Sequence, residues 1–261
     1  MLRVVTQVFL SLSVFCWSAG ADEQPKKEAA ESKEYQALLD EYEKVGVARE
    51  LADKFFDFAV KHANDPEAVD ALAWIATRLR YRPKAARAIG LLQSDHLQSR
   101  RLGKVMGPVS QGLTPVAEQL LQAALEKSPH ADVQAQACFH LVALLDGQMR
   151  LAKDLQQQPA LQKRAAQYYG KEMTDHLVSL DANKVNSRKE LLCETMLKSF
   201  AKESTPDGTM GQFAKRALFA MRHLSVGKPA PEIMGDDVNG RSFKLSDFRG
   251  KVVMISFWGH W

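Results

Sequence analysis

Apolar side chains recur every three to four residues from about residue 34 to about residue 224. This spacing places them on one face of an α-helix. Two clear series are Ala48, Leu51, Ala52, Phe55 and Ala59, and Ala117, Leu120, Leu121, Ala124 and Leu125. Short breaks separate the periodic stretches, and short connections between amphipathic helices indicate antiparallel helical hairpins. The sequence therefore predicts a mostly α fold, a repeat-like array of about eight to ten helices.

Capping signals in the sequence predict where several helices begin. Asp65 and Thr114 each stand directly before a proline, which is the arrangement of an N-cap followed by the first helical residue. Ser187 and Glu190 have the spacing of a capping box, in which each side chain satisfies a backbone N–H of the other residue. We expect helices to begin at all three places.

The first 21 residues have the features of a secretory signal peptide. A short basic start precedes an apolar stretch, and the small residues at 19–21 form a cleavage site before Asp22. The alternative is a membrane anchor, but the apolar stretch is shorter than the roughly 20 residues that span a bilayer. We expect export to the periplasm or another extracytoplasmic compartment, with no stable membrane span after cleavage. Residues 22–33 are charged and predict a flexible spacer.

Charge and motif content argue against several functions. The net charge of +4 comes from basic residues interleaved with acidic ones, so a nucleic-acid partner is not expected. The seven histidines form no H-x-x-x-H pair, and no phosphate-binding or dinucleotide-binding glycine motif is present. We therefore predict neither a metal site nor a cofactor.

Two cysteines, Cys138 and Cys193, remain after removal of the leader with Cys16. They are far apart in sequence, form no C-x-x-C motif, and each lies in a helical pattern beside apolar neighbours. One interpretation is two buried structural cysteines. The other is a disulfide, which an oxidising compartment would permit. The sequence does not decide whether the two side chains meet.

The pattern changes at about residue 225, where prolines, glycines and alternation replace the helical period. Asn239-Gly240 predicts a β-hairpin with a type I′ turn. Residues 252–257 are continuously apolar, which is typical of a central strand covered on both faces. We therefore divide the chain into a helical domain at 34–224 and a second region, predicted to contain β-strands, at 225–261.

Three stretches in this region, "GKPAPEI", "DVNGRSFKLSDFRGKVV" and "FWGHW", occur in a characteristic order and spacing. On them, residues 227–261 resemble the opening of an extracytoplasmic thioredoxin-like domain of the TlpA/ResA type, within the redoxin (AhpC/TSA) group. The resemblance implies the first hairpin and strand of an incomplete thioredoxin-like fold. It also implies thiol-disulfide oxidoreductase activity toward protein thiols and disulfides. The helical region carries no comparable motif.

The resemblance also places the active site. In that family a C-x-x-C motif follows the second tryptophan, so Trp258 and Trp261 match the residues that flank the active site. The first cysteine lies at a helix N-terminus, which stabilises its thiolate, and the second resolves the mixed disulfide. The nucleophile is therefore expected directly after Trp261. Residues 1–261 would hold no catalytic residue and would be inactive in thiol exchange.

Three explanations account for a sequence that stops at this point. The sequence is incomplete through a sequencing error, a frameshift or a partial gene model; or the gene is a pseudogene; or a UGA codon for selenocysteine has been read as a stop. A selenol is more acidic than a thiol, so selenocysteine suits this position. The codon after Trp261 distinguishes these explanations.

Two other functions stay open. A peroxidase of the peroxiredoxin branch would need P-x-x-x-[TS]-x-x-C after the apolar strand, and no proline follows Phe257. A non-enzymatic helical scaffold that binds a partner, with a vestigial redoxin stub, belongs to a different class. A thiol-exchange assay separates the enzyme from the scaffold.

Overall fold

The computed structural model describes residues 32–46, 49–225, 227–256 and 258. Eleven α-helices, four short β-strands and one 3-10 helix lie within these residues. The helices are α1 (Lys33–Val45), α2 (Arg49–Lys61), α3 (Pro66–Arg78), α4 (Pro83–Asp95), α5 (Leu102–Ser110), α6 (Pro115–Lys127), α7 (Ala131–Gln157), α8 (Pro159–Tyr169), α9 (Lys171–Val178), α10 (Ala182–Ser199) and α11 (Met210–His223). The strands are β1 (Ser204–Thr205), β2 (Gly208–Thr209), β3 (Met234–Asp236) and β4 (Ser242–Lys244), and the 3-10 helix is Leu245–Phe248. The prediction of a mostly α fold is confirmed.

Two of the three predicted helix starts are confirmed. Helix α3 begins directly after Asp65, and α6 begins directly after Thr114. The Thr114 hydroxyl oxygen accepts a hydrogen bond from the backbone N–H of Ala117 at 3.3 Å. It thereby satisfies one of the N–H groups that the first helical turn leaves without a partner.

The capping box predicted at Ser187 and Glu190 is wrong, because both residues lie inside α10. That helix starts earlier, after Asp181. Asp181 Oδ1 accepts hydrogen bonds from the N–H groups of Asn183 at 2.8 Å and Lys184 at 3.2 Å. A carboxylate at the N-cap also interacts favourably with the positive end of the helix dipole.

The main core lies between helices that follow one another in the chain and around the long helix α7. Helix α2 packs on α3, α3 on α4, and α10 on α11, while the long helix α7 contacts α5, α6 and α10. The largest fully buried side chains are Leu51, Phe55, Leu72, Ile75, Leu92, Leu102, Met106, Leu120, Leu121, Leu141, Leu144 and Leu145. No helix within the described residues is both long and apolar enough to cross a membrane.

A second, smaller cluster holds α8 and α9 against the end of α7. It consists of Ala152, Leu155, Ala165, Met173 and Leu177. Leu113, in the loop between α5 and α6, packs against both this cluster and the main core. Helix α7 therefore takes part in both clusters and joins them.

The predicted β-hairpin is confirmed, but its turn type is wrong. Strands β3 and β4 pair antiparallel, with Asp236 opposite Ser242. A type I′ turn needs positive φ at two successive residues, whereas Gly240, at 76°, is the one residue of this turn with positive φ. The N–H of Gly240 donates to Asp237 O and the N–H of Asp237 donates to Arg241 O, both at 2.9 Å. The connection is a type I turn followed by a glycine bulge, the usual form of a three-residue loop.

The strand predicted at 252–257 is absent from the described part of that stretch, residues 252–256. Val252 and Met254 are fully or almost fully exposed. A β-strand forms when its backbone hydrogen-bonds to a neighbouring strand. Within the described residues, no strand pairs with residues 252–256. The thioredoxin-like fold and the domain division therefore stay predictions. The signal peptide at 1–21 and most of the spacer at 22–33 lie outside the described residues.

Candidate functional site

Residues 227–261 are called here the C-terminal segment, and the hairpin and the 3-10 helix give its described residues a defined local structure. The N–H of Leu245 donates to Ile233 O at 2.9 Å, which extends the pairing beyond β3. Glu232 Oε1 accepts a hydrogen bond from the N–H of Ser246 at 2.9 Å. Hydrogen bonds from Ser246 hold the pKa of the Glu232 carboxyl below its usual range. These contacts fix the position from which the apolar stretch at 252–256 departs.

Three large apolar side chains of the C-terminal segment are only partly covered. Ile233, Phe243 and Phe248 are 39%, 38% and 39% exposed. The rings of Phe243 and Phe248 meet edge to face, with centroids 6.4 Å apart. None of the described residues of this segment is buried. The described part of the segment therefore presents an apolar surface and contains no buried core.

The two tryptophans predicted to flank the active site are described unequally. Trp258 is 83% exposed. Trp261 lies outside the described residues, as do Phe257, Gly259 and His260. The structure thus shows that Trp258 is accessible. It does not test the prediction that Trp258 and Trp261 flank an active site.

Cys138 and Cys193 are free thiols inside the helical core, on α7 and α10, and both are completely buried. The Cys138 thiol donates to Leu192 O at 3.5 Å. Burial raises the pKa of Cys138 to about 12 and that of Cys193 to about 11. A reactive cysteine needs a thiolate in an accessible position. Neither thiol can therefore replace a nucleophile beside Trp258.

A groove of about 1030 Å³ between α5 and the first turns of α7 was not predicted from the sequence. Its floor is formed where Gly107 approaches the His140 ring so closely that a Cβ at 107 would lie 3.0 Å from His140 Cε1. Burial lowers the pKa of His140, which favours the neutral imidazole. These residues come together only when distant segments of the chain pack. Local sequence patterns therefore do not predict the groove.

Two arginines that line this groove face acidic partners. Arg100 Nε pairs with Asp132 Oδ2 at 2.8 Å. Arg101 pairs with Asp70 and lies 3.6 Å from Glu67. These ion pairs offset the charges of the two arginines, and the lining also holds one lysine, Lys104, and one further carboxylate, Glu203. No group of histidine, cysteine and acidic side chains within the described residues is arranged to hold a metal ion.

Comparison with known proteins relates a short part of the chain to one class of enzyme. No family model and no solved structure matches the chain. It is 40% identical to the thiol-disulfide oxidoreductase ResA of Bacillus subtilis over 53 residues, which is 20% of this chain and 30% of that protein. The ResA protein of Geobacillus thermodenitrificans is 45% identical over 38 residues, 15% of this chain and 22% of that protein. That of Bacillus anthracis is 34% identical over 55 residues, 21% of this chain and 32% of that protein.

The chain thus spans about a quarter to a third of the length of these relatives. A matched length of 38 residues is close to that of the C-terminal segment, where the sequence resemblance to redoxins was found. The similarity is local but consistent among the relatives. It supports a thioredoxin-like, redoxin-family relationship for part of this chain.

Proposed function

We propose that this chain is the N-terminal part of a thiol-disulfide oxidoreductase, whose redox domain begins in the C-terminal segment. The observation that carries the proposal is the 34–45% identity to ResA proteins over 38–55 residues. The folded hairpin with its uncovered apolar face is compatible with it, because such a face is stable when a sheet and helices cover it. As part of this proposal, we place the rest of the redox domain after residue 261.

The redox centre is proposed to follow Trp261 directly, as a cysteine or selenocysteine with a second cysteine two residues further on. The first group, as thiolate or selenolate, attacks a disulfide of a partner protein and forms a mixed disulfide. The second cysteine then attacks that bond and releases the reduced partner. The exposed ring of Trp258 offers an apolar contact for the partner beside this centre.

The proposed location is extracytoplasmic, with the leader at 1–21 cleaved before Asp22. The proposed partners are proteins with exchangeable thiols or disulfides. The helical part is proposed to recognise them, because helical arrays offer extended surfaces for protein contacts. Amino-terminal sequencing of protein recovered from the periplasmic fraction should begin at Asp22, and an intact leader would contradict the proposed export.

The first test is the nucleotide sequence after the Trp261 codon. A UGA codon followed in frame by a second cysteine and a thioredoxin-coding frame supports selenocysteine, and a cysteine codon in the same context supports a thiol enzyme. A UAA or UAG codon, or the lack of such a frame, contradicts both. The alternative of a helical scaffold with a vestigial stub would then be favoured.

The second test is insulin reduction by the full-length product, by a variant with serine in place of the first redox residue, and by residues 1–261 alone. We expect turnover in the first protein only. Equal activity in all three would overturn the assignment of the redox centre, because the only thiols they share are Cys16, Cys138 and Cys193. Activity with peroxide and none with insulin would favour the peroxidase alternative.

A further inference from the structure

Helices α7 and α10 meet at two cysteines. Cys138 and Cys193 are each completely buried in the main core. The Cys138 sulfur lies 3.5 Å from Leu192 O, and this oxygen belongs to the peptide group that joins Leu192 to Cys193. The Cys138 side chain therefore reaches the backbone of the second cysteine. Cys193 is also one of the groups that raise the pKa of Cys138, after burial itself.

The packing around the pair fixes α10 on α7. Asp146 of α7 forms an ion pair with Lys189 of α10. Arg188, the preceding residue, pairs with Glu118 of α6. A disulfide forms without backbone movement when the two Cα atoms lie about 4.4–6.8 Å apart and the side chains face each other. The contact of Cys138 with the Leu192 carbonyl places the two cysteines next to each other, and the bond requires that both side chains turn toward each other by rotation about χ1.

We propose that Cys138 and Cys193 form an intramolecular disulfide that joins α7 to α10, and that the two thiols of the structure are its reduced form. This proposal concerns the helical part of the chain and is independent of the proposed redox centre. It assigns a covalent modification to two core residues.

The bond would form by exchange with an external disulfide, such as oxidised glutathione or the disulfide of a folding oxidoreductase. One cysteine, as thiolate, attacks the external disulfide, forms a mixed disulfide and releases one thiol. The other cysteine attacks the mixed disulfide and releases a second thiol. The external disulfide gains two electrons and the two protons, and the cysteine pair loses them.

Burial sets the time at which this exchange can occur. In the folded protein both thiols are inaccessible, and their raised pKa values leave almost no thiolate at pH 7. The exchange therefore takes place before α7 and α10 pack. Once formed, the bond is protected from reductants by the same burial.

The test is a thiol map of the full chain refolded with and without a glutathione redox buffer. The protein is denatured, alkylated without reductant, digested and analysed by mass spectrometry. After oxidative refolding we expect the Cys138 and Cys193 peptides to be joined, lighter by two hydrogen atoms, and separable by dithiothreitol. Full alkylation of both residues, or bonding of either one to Cys16 or to a second chain, would overturn the proposal.

Two further measurements make the result decisive. Reduction should lower the Tm of the oxidised protein by roughly 5–10 °C, and the Cys138→Ala/Cys193→Ala double variant should show no dependence on reductant. Oxidised glutathione added to folded, reduced protein should join the pair at least roughly 100-fold more slowly than when added during refolding, since thiolate exposure limits the rate. Equal rates would contradict formation before packing.

Discussion

Leu113 lies directly on Gly147 of α7. A Cβ atom at position 147 would lie 3.2 Å from Leu113 Cδ1 and would overlap Cδ2. Leu113 has a φ of 55°, a left-handed conformation that costs a branched side chain about 1–2 kcal/mol. The Leu113 carbonyl accepts a hydrogen bond from Gln148 Nε2 at 3.1 Å. The glycine and the amide together hold the loop between α5 and α6 in this conformation.

The contact predicts that Gly147→Ala destabilises the protein. We expect the free energy of unfolding to fall by about 1–2 kcal/mol, because the overlap with Leu113 exceeds the gain in helix propensity. Urea denaturation measures the change. The matched control is Gly90→Ala in α4, where a Cβ would meet nothing within 4 Å, and there we expect a gain of up to about 1 kcal/mol. Similar effects at the two positions would show that the Leu113 contact is not tight.

Gln148 provides a pH-dependent test of the same junction. It is completely buried, and its Nε2 also donates to Glu118 Oε2 at 3.1 Å. Gln148→Glu removes the donor and puts a second carboxylate beside Glu118. We expect a loss of about 3 kcal/mol at pH 7. The neighbouring charge raises the pKa of the introduced carboxyl in the folded variant, so stability should recover progressively as the pH falls from 7 toward the unfolded carboxyl pKa of about 4.

The control for this variant is Gln156→Glu. Like Gln148, Gln156 donates two hydrogen bonds from its side-chain amide. Its acceptors are the backbone carbonyls of Val178 and Leu180, and its side chain is exposed. Water can replace lost hydrogen bonds at an exposed site, so the loss should stay below about 1 kcal/mol. Thermal or urea unfolding at pH 7 and pH 5 compares the two. A pH-independent loss at position 148 would contradict the proximity of the two carboxyl groups.

The buried thiols predict loss of stability at alkaline pH in the reduced protein. The pKa of Cys138 is raised to about 12 and that of Cys193 to about 11, from an ordinary value of 9.0. The unfolded thiols ionise first as the pH rises above 9, so their contribution is complete below pH 9 and is lost between pH 9 and pH 12. At pH 10 we expect a loss of about 1 kcal/mol per thiol.

Other groups titrate in the same range, so the thiol contribution is measured as a difference. The Cys138→Ala/Cys193→Ala double variant retains the tyrosines and lysines of the protein. Urea unfolding of both proteins under reducing conditions at pH 8 and pH 10 gives the comparison. Parallel losses in the two proteins would mean that the thiols become accessible before the protein unfolds.

Asp237 is predicted to stabilise the hairpin turn. Its Oδ1 accepts hydrogen bonds from the N–H groups of Asn239 at 2.8 Å and Arg241 at 2.9 Å. Asp237→Ala should accelerate hydrogen exchange of these two amides by about fivefold, the equivalent of about 1 kcal/mol. Asp236→Ala is the control, because Asp236 Oδ1 accepts from the Ser242 hydroxyl, a side chain, at 2.6 Å. Equal acceleration by both variants would exclude a specific role of Asp237.

Local signals predicted helix starts only where one candidate was present. Thr114 caps α6 as expected because the following proline fixes the first helical residue. In α10 two candidates compete, and Asp181 caps the helix while Ser187 lies within it. The capping box that does form, between Thr209 and Gln212 at the start of α11, has the same local pattern. Spacing alone does not rank such candidates.

Features of the fold that depend on tertiary contacts could not be predicted from the sequence. Asn-Gly correctly indicated a hairpin, but either of two turn types can follow, and the turn that forms is the one in which Asp237 Oδ1 accepts hydrogen bonds from the N–H groups of Asn239 and Arg241. The contact of Leu113 with α7 joins residues 35 positions apart. The groove at Gly107 likewise needs α5 against α7. For the candidate site, the hairpin was predicted from the sequence and is confirmed, whereas the assignment of Trp258 as a flanking residue stays a prediction.

The two apolar clusters along α7 imply that this helix does not open as one unit. Its 27 residues extend about 40 Å, from the main core into the smaller cluster with α8 and α9, which has five buried side chains. Regions held by few apolar contacts open at lower free energy than the core. The end of α7 beyond Gly147 should therefore open together with α8 and α9, while its first half opens only when the whole protein unfolds. One continuous helix thus belongs to two cooperative units of different stability.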